Sequence, residues 1–232
     1  MTGYGQFCPV AQASEVLAER WTPLVLREMV LGDATRFNDI QRGVPQMSST
    51  LLSKRLRSLE ANGIIERRET EGVVEYLPTR AGWELAPVLE QMGLWSERWL
   101  RRPVSVDDAQ PQFLMWVVRG LVKMDEIPEG RTVAHFRFPA APDKFRYWWL
   151  VLDESGVDLC TNDPGFGADL IVKADAPALA SVVTGDATLA ATIRGGGIEL
   201  TGPTEKKRAF RRWFGVSPFA DVASARGAAS AR

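Results

Sequence analysis

Thr50, Ser53, Lys54 and Arg57 stand at i, i+3, i+4 and i+7, a spacing that gathers four side chains on one face of a helix. Short hydroxyls hydrogen-bond base edges or phosphates, and long cations reach guanine or the DNA backbone. None of the four positions carries a carboxylate. Ser49 opens the same segment, where a helix N-terminus favours phosphate. Leu52, Leu56 and Leu59 fall at i, i+4 and i+7 and make the opposite, core-facing side. The chemistry offered is recognition of a duplex rather than bond-making. An ordinary amphipathic helix with a solvated face shows the same pattern, so the neighbouring elements must decide.

Those neighbours are specific. Phe37, Ile40 and Val44 form one apolar helical stripe, and Pro45 ends it. Ser48 is a natural N-cap, its hydroxyl able to accept a free backbone N–H. The second helix is predicted from Ser49 to Asn62, with Gly63 as its stop. Helix, three-residue turn with proline, helix is the helix-turn-helix layout. The stretch from Ile64 to Leu77 then reads as two strands joined near Thr70-Glu-Gly72, a hairpin wing. Arg67 and Arg68 are placed there to touch backbone or minor groove, while Glu69 and Glu71 make the tip acidic. Residues 36–68 hold seven basic and three acidic side chains, a local +4 in a chain whose net charge is −1.

Other chemistries lack raw material. The single histidine, His135, would have to serve any triad, or join scattered cysteines and carboxylates in any zinc site. It alternates with Val133 and Arg137 on a strand, where a structural role is expected. Gly195–Gly197 lacks the lysine and serine of a phosphate loop and reads as a turn. No enzyme activity, cofactor or metal is expected. Two cysteines, Cys8 and Cys160, cannot build a disulfide framework, which points to a reducing, cytoplasmic setting. Charges at Glu15, Glu19, Arg20, Arg27 and Glu28 interrupt any signal-like run, and Phe113–Val118 is too short to span a bilayer. No membrane partner is expected. The 232 residues, 45% hydrophobic and 25% charged, have the mix of a globular protein large enough for two cores.

The chain changes style midway. Residues 1–102 are dense in helical periods, and 103–112 read as a linker with two prolines and no period. Residues 113–219 read as an α+β domain, and 220–232 as a disordered tail. After a helix from Phe113 to Met124 come strands near 132–138, 146–152, 157–160 and 168–173, with Asp153–Gly156 a tight turn. Another strand is expected near 197–200 and a last helix near 203–214. On the second strand Tyr147, Trp149 and Val151 alternate with Trp148, Leu150 and Leu152, so it is predicted to be central and covered on both faces. Trp116, Phe136, Phe138, Trp148 and Trp149 either line a pocket for an apolar ligand or fill the core.

Residues 7–101 resemble the HxlR family of winged helix-turn-helix regulators. The resemblance rests on Cys8-Pro9, Arg20-Trp-Thr22, Leu26-Arg-Glu28, Arg36-Phe-Asn38, Leu51-Leu-Ser53, Arg55-Leu-Arg57-Ser-Leu-Glu60, Gly63-Ile64, Val74-Glu-Tyr76 and Leu77-Pro-Thr79, in order. It implies a winged helix-turn-helix fold and a homodimer on a palindromic operator, with recognition helices ~34–36 Å apart. Leu89, Met92, Trp95 and Trp99 along the helix after the wing would form the dimer interface, or else pack on their own domain. In some members of the family the cysteine matching Cys8 senses oxidants or electrophiles; the other reading of Cys8 is a buried packing residue.

Residues 113–217 resemble the sterol carrier protein type 2 fold, through Ala168–Ala174, Thr184-Gly-Asp186 and Gly195–Gly202. That resemblance implies a small antiparallel sheet under helices, with an apolar cavity between them. The alternative for this half is a rigid spacer or oligomerisation module. Lys206, Lys207, Arg208, Arg211 and Arg212 make the last helix basic, either as solvated surface or as an auxiliary contact to DNA or a partner subunit. The leading expectation is a dimeric DNA-binding regulator with an apolar effector. The rival is an apolar-ligand or lipid carrier whose winged domain mediates only protein contacts.

Overall fold

Helical periods in the first half and alternating runs in the second produce two separate cores. The computed structural model describes residues 3–222, and the chain divides into two compact units, Met1–Trp95 and Ser96–Arg232.

The first unit begins with α1 (Pro9–Leu17), α2 (Thr22–Val30), α3 (Phe37–Gly43) and α4 (Ser49–Ala61). The hairpin β1 (Ile65–Thr70) and β2 (Val73–Pro78) follows, then α5 (Arg80–Trp83) and the first ten residues of α6 (Ala86–Leu100), whose last turn belongs to the second unit. Its core is Val25, Leu26 and Met29 from α2, Ile40 from α3, and Leu52, Leu56 and Leu59 from α4, closed by Ile65 and Leu89. Burying each such side chain contributes roughly 1.5–3 kcal/mol.

Local chemistry sets the ends of α4. Ser48 Oγ accepts the Leu51 N–H at 3.3 Å, satisfying one of the orphan donors of the first turn. Asn62 closes the helix and Gly63 takes φ +69, a conformation that favours glycine. The helix-turn-helix connection is longer than the three residues expected. α3 ends at Gly43 rather than Val44, leaving residues 44–48 between the helices. Gln41 fills the gap, its amide donating to the carbonyls of Val44 at 3.2 Å and Met47 at 2.6 Å.

The hairpin has a two-residue turn, Glu71-Gly72, with φ of +52 and +79, the backbone that matches the twist of paired strands. Its root is tied to the helical body by the Tyr76 N–H donating to Thr35 O at 2.7 Å.

The second unit contains α7 (Pro111–Gly120), β3 (Thr132–Arg137), β4 (Tyr147–Asp153), β5 (Gly156–Cys160) and β6 (Leu170–Ala174). It ends with α8 (Ala176–Thr184), α9 (Leu189–Arg194), β7 (Ile198–Thr201) and α10 (Thr204–Trp213). The five strands form one sheet in the order β5-β4-β3-β6-β7. The expectation of an antiparallel sheet is corrected at one place, because β3 and β6 run parallel, Ala134 opposite Leu170 and Phe136 opposite Val172.

Alternation sends Ala134, Phe136, Trp148, Leu150, Leu152, Leu170 and Val172 to one face, where they meet Met115, Leu179, Val182, Phe210 and Trp213 from the helices. The other face carries Tyr147, Trp149, His135, Arg137 and Lys173. β4 is an interior strand, but β3 rather than β4 is the central one, and the second face of β4 is not sealed: Tyr147 is exposed and Trp149 half-buried. Of the tail expected from Ala220, residues 220–222 form a turn, with the Ala220 N–H donating to Ser217 O at 3.0 Å. The remainder, 223–232, lies outside the described residues.

Candidate nucleic-acid interface

The outer face of α4 is built as a consequence of its inner face. Leu52, Leu56 and Leu59 are fully buried, and at about 100° per residue this turns Ser49, Thr50, Lys54 and Arg57 outward. These four are exposed, and Ser53 is half-buried at the edge of the strip. Among the described residues, neither Lys54 nor Arg57 has an ion-pair or hydrogen-bond partner, so both cations are available to a ligand. The acid-free face has a limit. Glu60, three residues beyond Arg57, is exposed on the same side at the C-terminal end of α4.

The local +4 needs revising. Arg55 is a member of α4 but sits on its inner side, its side chain only 9% exposed. Its guanidinium pairs with Glu19 and donates to Arg20 O at 3.4 Å. Burial pulls its pKa below the ordinary value. The spacing contained this placement, since Leu52, Arg55, Leu56 and Leu59 fall at i, i+3, i+4 and i+7. Arg42 is likewise held by Asp39 at 3.1 Å.

Arg67 and Arg68 do not share a face. As adjacent residues on β1 they point to opposite sides of the hairpin. Arg67 pairs with Glu69 at 2.8 Å, and Arg68 pairs with Glu66 at 2.5 Å. The hydrogen bond that Arg67 donates to Glu69 holds the Arg67 pKa above its ordinary value. Strand alternation therefore puts the two arginines on opposite sides of the wing, each beside an acid of its own strand.

On α6, Met92, Trp95 and Trp99 at i, i+3 and i+7 form an exposed stripe with side chains 50%, 56% and 42% open. Leu89, grouped with them from the sequence, turns the other way and is buried in the first core. Cys8 is exposed at the N-cap of α1, so the packing-residue reading is corrected.

The five aromatics of the second unit do not converge. Phe136, Phe138 and Trp148 belong to the core, and the Trp148 indole donates to Phe145 O at 2.8 Å. Trp116 lies under Arg119, whose guanidinium carbon is 4.9 Å from the ring centroid. Trp149 occupies the opposite sheet face, stacked on His135. His135 Nδ1 accepts from Arg137 at 3.5 Å. Burial first, and then the Arg137 charge, push the His135 pKa down, with Asp163 opposing. A cleft of about 250 Å³ opens elsewhere in this unit, among Glu97, Arg101, Asp108 and Asp186. Among the described residues no cluster of His, Cys, Asp and Glu could hold a metal ion, and no helix is long and apolar enough to cross a membrane.

Residues 16–103 match the family model of the HxlR-like helix-turn-helix. The chain is 33% identical over 99 residues to the uncharacterized HTH-type transcriptional regulator YvaP of Bacillus subtilis, covering 41% of this chain and 91% of that protein. It is 34% identical over 95 residues to the HTH-type transcriptional regulator YodB of the same organism, covering 39% of this chain and 84% of YodB. The solved reduced form of YodB aligns over 40% of this chain and 93% of its own, at 32% identity and a TM-score of 0.34. With its helices, its hairpin and this level of identity in place, the chain belongs to the HxlR-like helix-turn-helix family of transcriptional regulators.

Proposed function

We propose that this regulator binds a palindromic DNA operator as a homodimer, with α4 of each subunit in a major-groove half-site. The observation that carries this reading is the outer strip of α4, where Thr50, Ser53, Lys54 and Arg57 project with Ser49 at the helix start. Both cations there are unengaged, and leucines anchor the back. Hydroxyls at the N-terminal end suit phosphates and base edges, and Arg57 suits a guanine edge. Arg67 and Arg68 are auxiliary, one on each side of the wing, and each must release its acid before contacting a phosphate. Dimerisation is supported by the open Met92, Trp95 and Trp99 stripe, which has the aromatic composition of an interface core.

The second unit, in this reading, is a sterol-carrier-like domain that tunes operator affinity by binding an apolar effector. A five-stranded sheet with helices over its core face supports the fold. Such tuning requires the effector to bind the DNA-competent and incompetent states with different affinity. Cys8 is a candidate thiol sensor, supported by its exposure.

Selection of duplexes from a random pool by the purified chain tests the central claim. An enriched inverted repeat with half-sites one helical turn apart is expected. No enrichment over the input pool would favour the carrier reading, in which the winged unit serves protein contacts alone.

A further inference from the structure

We infer that Arg55 and Glu19 are positioning residues, whose ion pair, buried on the arginine side, fixes the rotation at which α4 presents Thr50, Ser53, Lys54 and Arg57 to DNA. The inference rests on the proposal that α4 reads the duplex.

Arg55 is the one cation of α4 that faces inward. It lies about 200° around the helix from Arg57, so anything that holds Arg55 also sets where Arg57 points. Its guanidinium reaches past the leucines to the connector between α1 and α2, meeting the Glu19 carboxylate and the Arg20 carbonyl. That connector makes a tight turn. The Thr22 N–H donates to Glu19 O at 3.0 Å, and Trp21 adopts φ +77, a backbone region that a bulky residue rarely enters. Arg20 covers the Trp21 ring, its guanidinium carbon 5.3 Å from the centroid. The other end of α2 is fastened to α3. Glu28 presses against Gly43, where a Cβ would come within 2.0 Å of its carboxyl group, and Arg27 donates to Gly43 O at 3.0 Å. α2 thus acts as a frame gripping α3 at one end and, through the connector, α4 at the other.

Stability alone does not account for a guanidinium in this place. Removing a charge from water is costly, and a well-packed apolar side chain often serves as well or better. The Arg55 Nε even lacks a hydrogen-bond partner among the described residues. What an ion pair adds is direction. A face of leucines tolerates small rotations and slips, whereas a guanidinium meeting one carboxylate and one carbonyl does not.

The test uses the full chain with its selected operator and a random duplex of equal length, each titrated across salt, beside thermal unfolding. Arg55→Leu leaves Glu19 and the Arg20 carbonyl without their partner, so it is expected to unfold somewhat below the wild-type temperature and, where still folded, to lose operator preference by roughly tenfold, the scale of one mismatched base pair. Its salt slope should stay unchanged, because no phosphate contact is removed. Arg55→Lys, which keeps the charge opposite Glu19, should recover part of the preference. Glu19→Gln, altering the more exposed partner, should reproduce the loss if Arg55→Leu fails to fold. Preference retained within about twofold in a folded Arg55→Leu or Glu19→Gln protein overturns the inference, as does a slope reduced by about 0.9, which would make Arg55 a phosphate contact. If the wild-type chain prefers no duplex, the DNA-binding proposal fails first and takes this one with it.

Discussion

Glu69 holds Arg67 on the same face of β1 at 2.8 Å, so the wing arginine is engaged within its own strand before any ligand arrives. Glu69→Gln would release it without changing the hairpin. Operator affinity should then rise several-fold at low salt, and the salt slope should steepen by up to about 0.9, the signature of one added phosphate contact. Fluorescence anisotropy across a salt series measures both. An unchanged slope would mean that Arg67 stays clear of the duplex.

Arg57→Ala should weaken operator binding by about 1–3 kcal/mol, the range of a base-edge contact. The side chain is exposed and unengaged, so the unfolding free energy should stay within about 0.5 kcal/mol of wild type. A matched loss on random duplex would reassign Arg57 from base reading to backbone contact.

Trp95→Glu places a charge in the middle of the open stripe on α6. Central aromatics carry a large share of association energy, so sedimentation should report a monomer at concentrations where the wild type is dimeric. Operator affinity should fall by more than tenfold, roughly the cost of losing one half-site. A dimer of undiminished stability would move the interface elsewhere.

His135 gives the second unit a pH signature. Its folded pKa is depressed below the ordinary 6.5, so protons bind the unfolded chain more readily. The resulting stability is present above pH 6.5 and is lost as pH falls through the folded value. Thermal unfolding between pH 5 and pH 8 should show this, and His135→Phe, which keeps a ring on Trp149, should flatten the dependence. A curve of the same shape in the variant would assign the effect to carboxylates.

Much of the first unit was legible because its rules are local. Ser48 caps α4, Gly63 ends it and Leu52, Leu56 and Leu59 are buried, each following from spacing along a few residues. A charge count does not tell which side of the helix Arg55 occupies, although its place among the leucines is present in the pattern. Arg67 and Arg68 show the same limit of a charge count. Alternation already put them on opposite faces, each with an acid two residues away. In the second unit the strands were legible but their order was not, since β3 meets β6 across a long stretch of chain. Whether the aromatics line a pocket or fill the core is left open by the sequence, because proximity along the chain says nothing about which side of a sheet a ring takes.

The placement of β6 has a consequence for how this protein is made. β3 and β4 can zip together as soon as both leave the ribosome, but the other edge of β3 stays bare until Leu170–Ala174 arrives. That edge runs past Ala134 and Phe136 and offers unpaired amides to any neighbouring chain. Stalled synthesis or proteolytic clipping between Cys160 and Leu170 would leave a sticky fragment rather than a smaller working domain. Shortened versions of this half should therefore be cut before Thr132 or kept through Trp213.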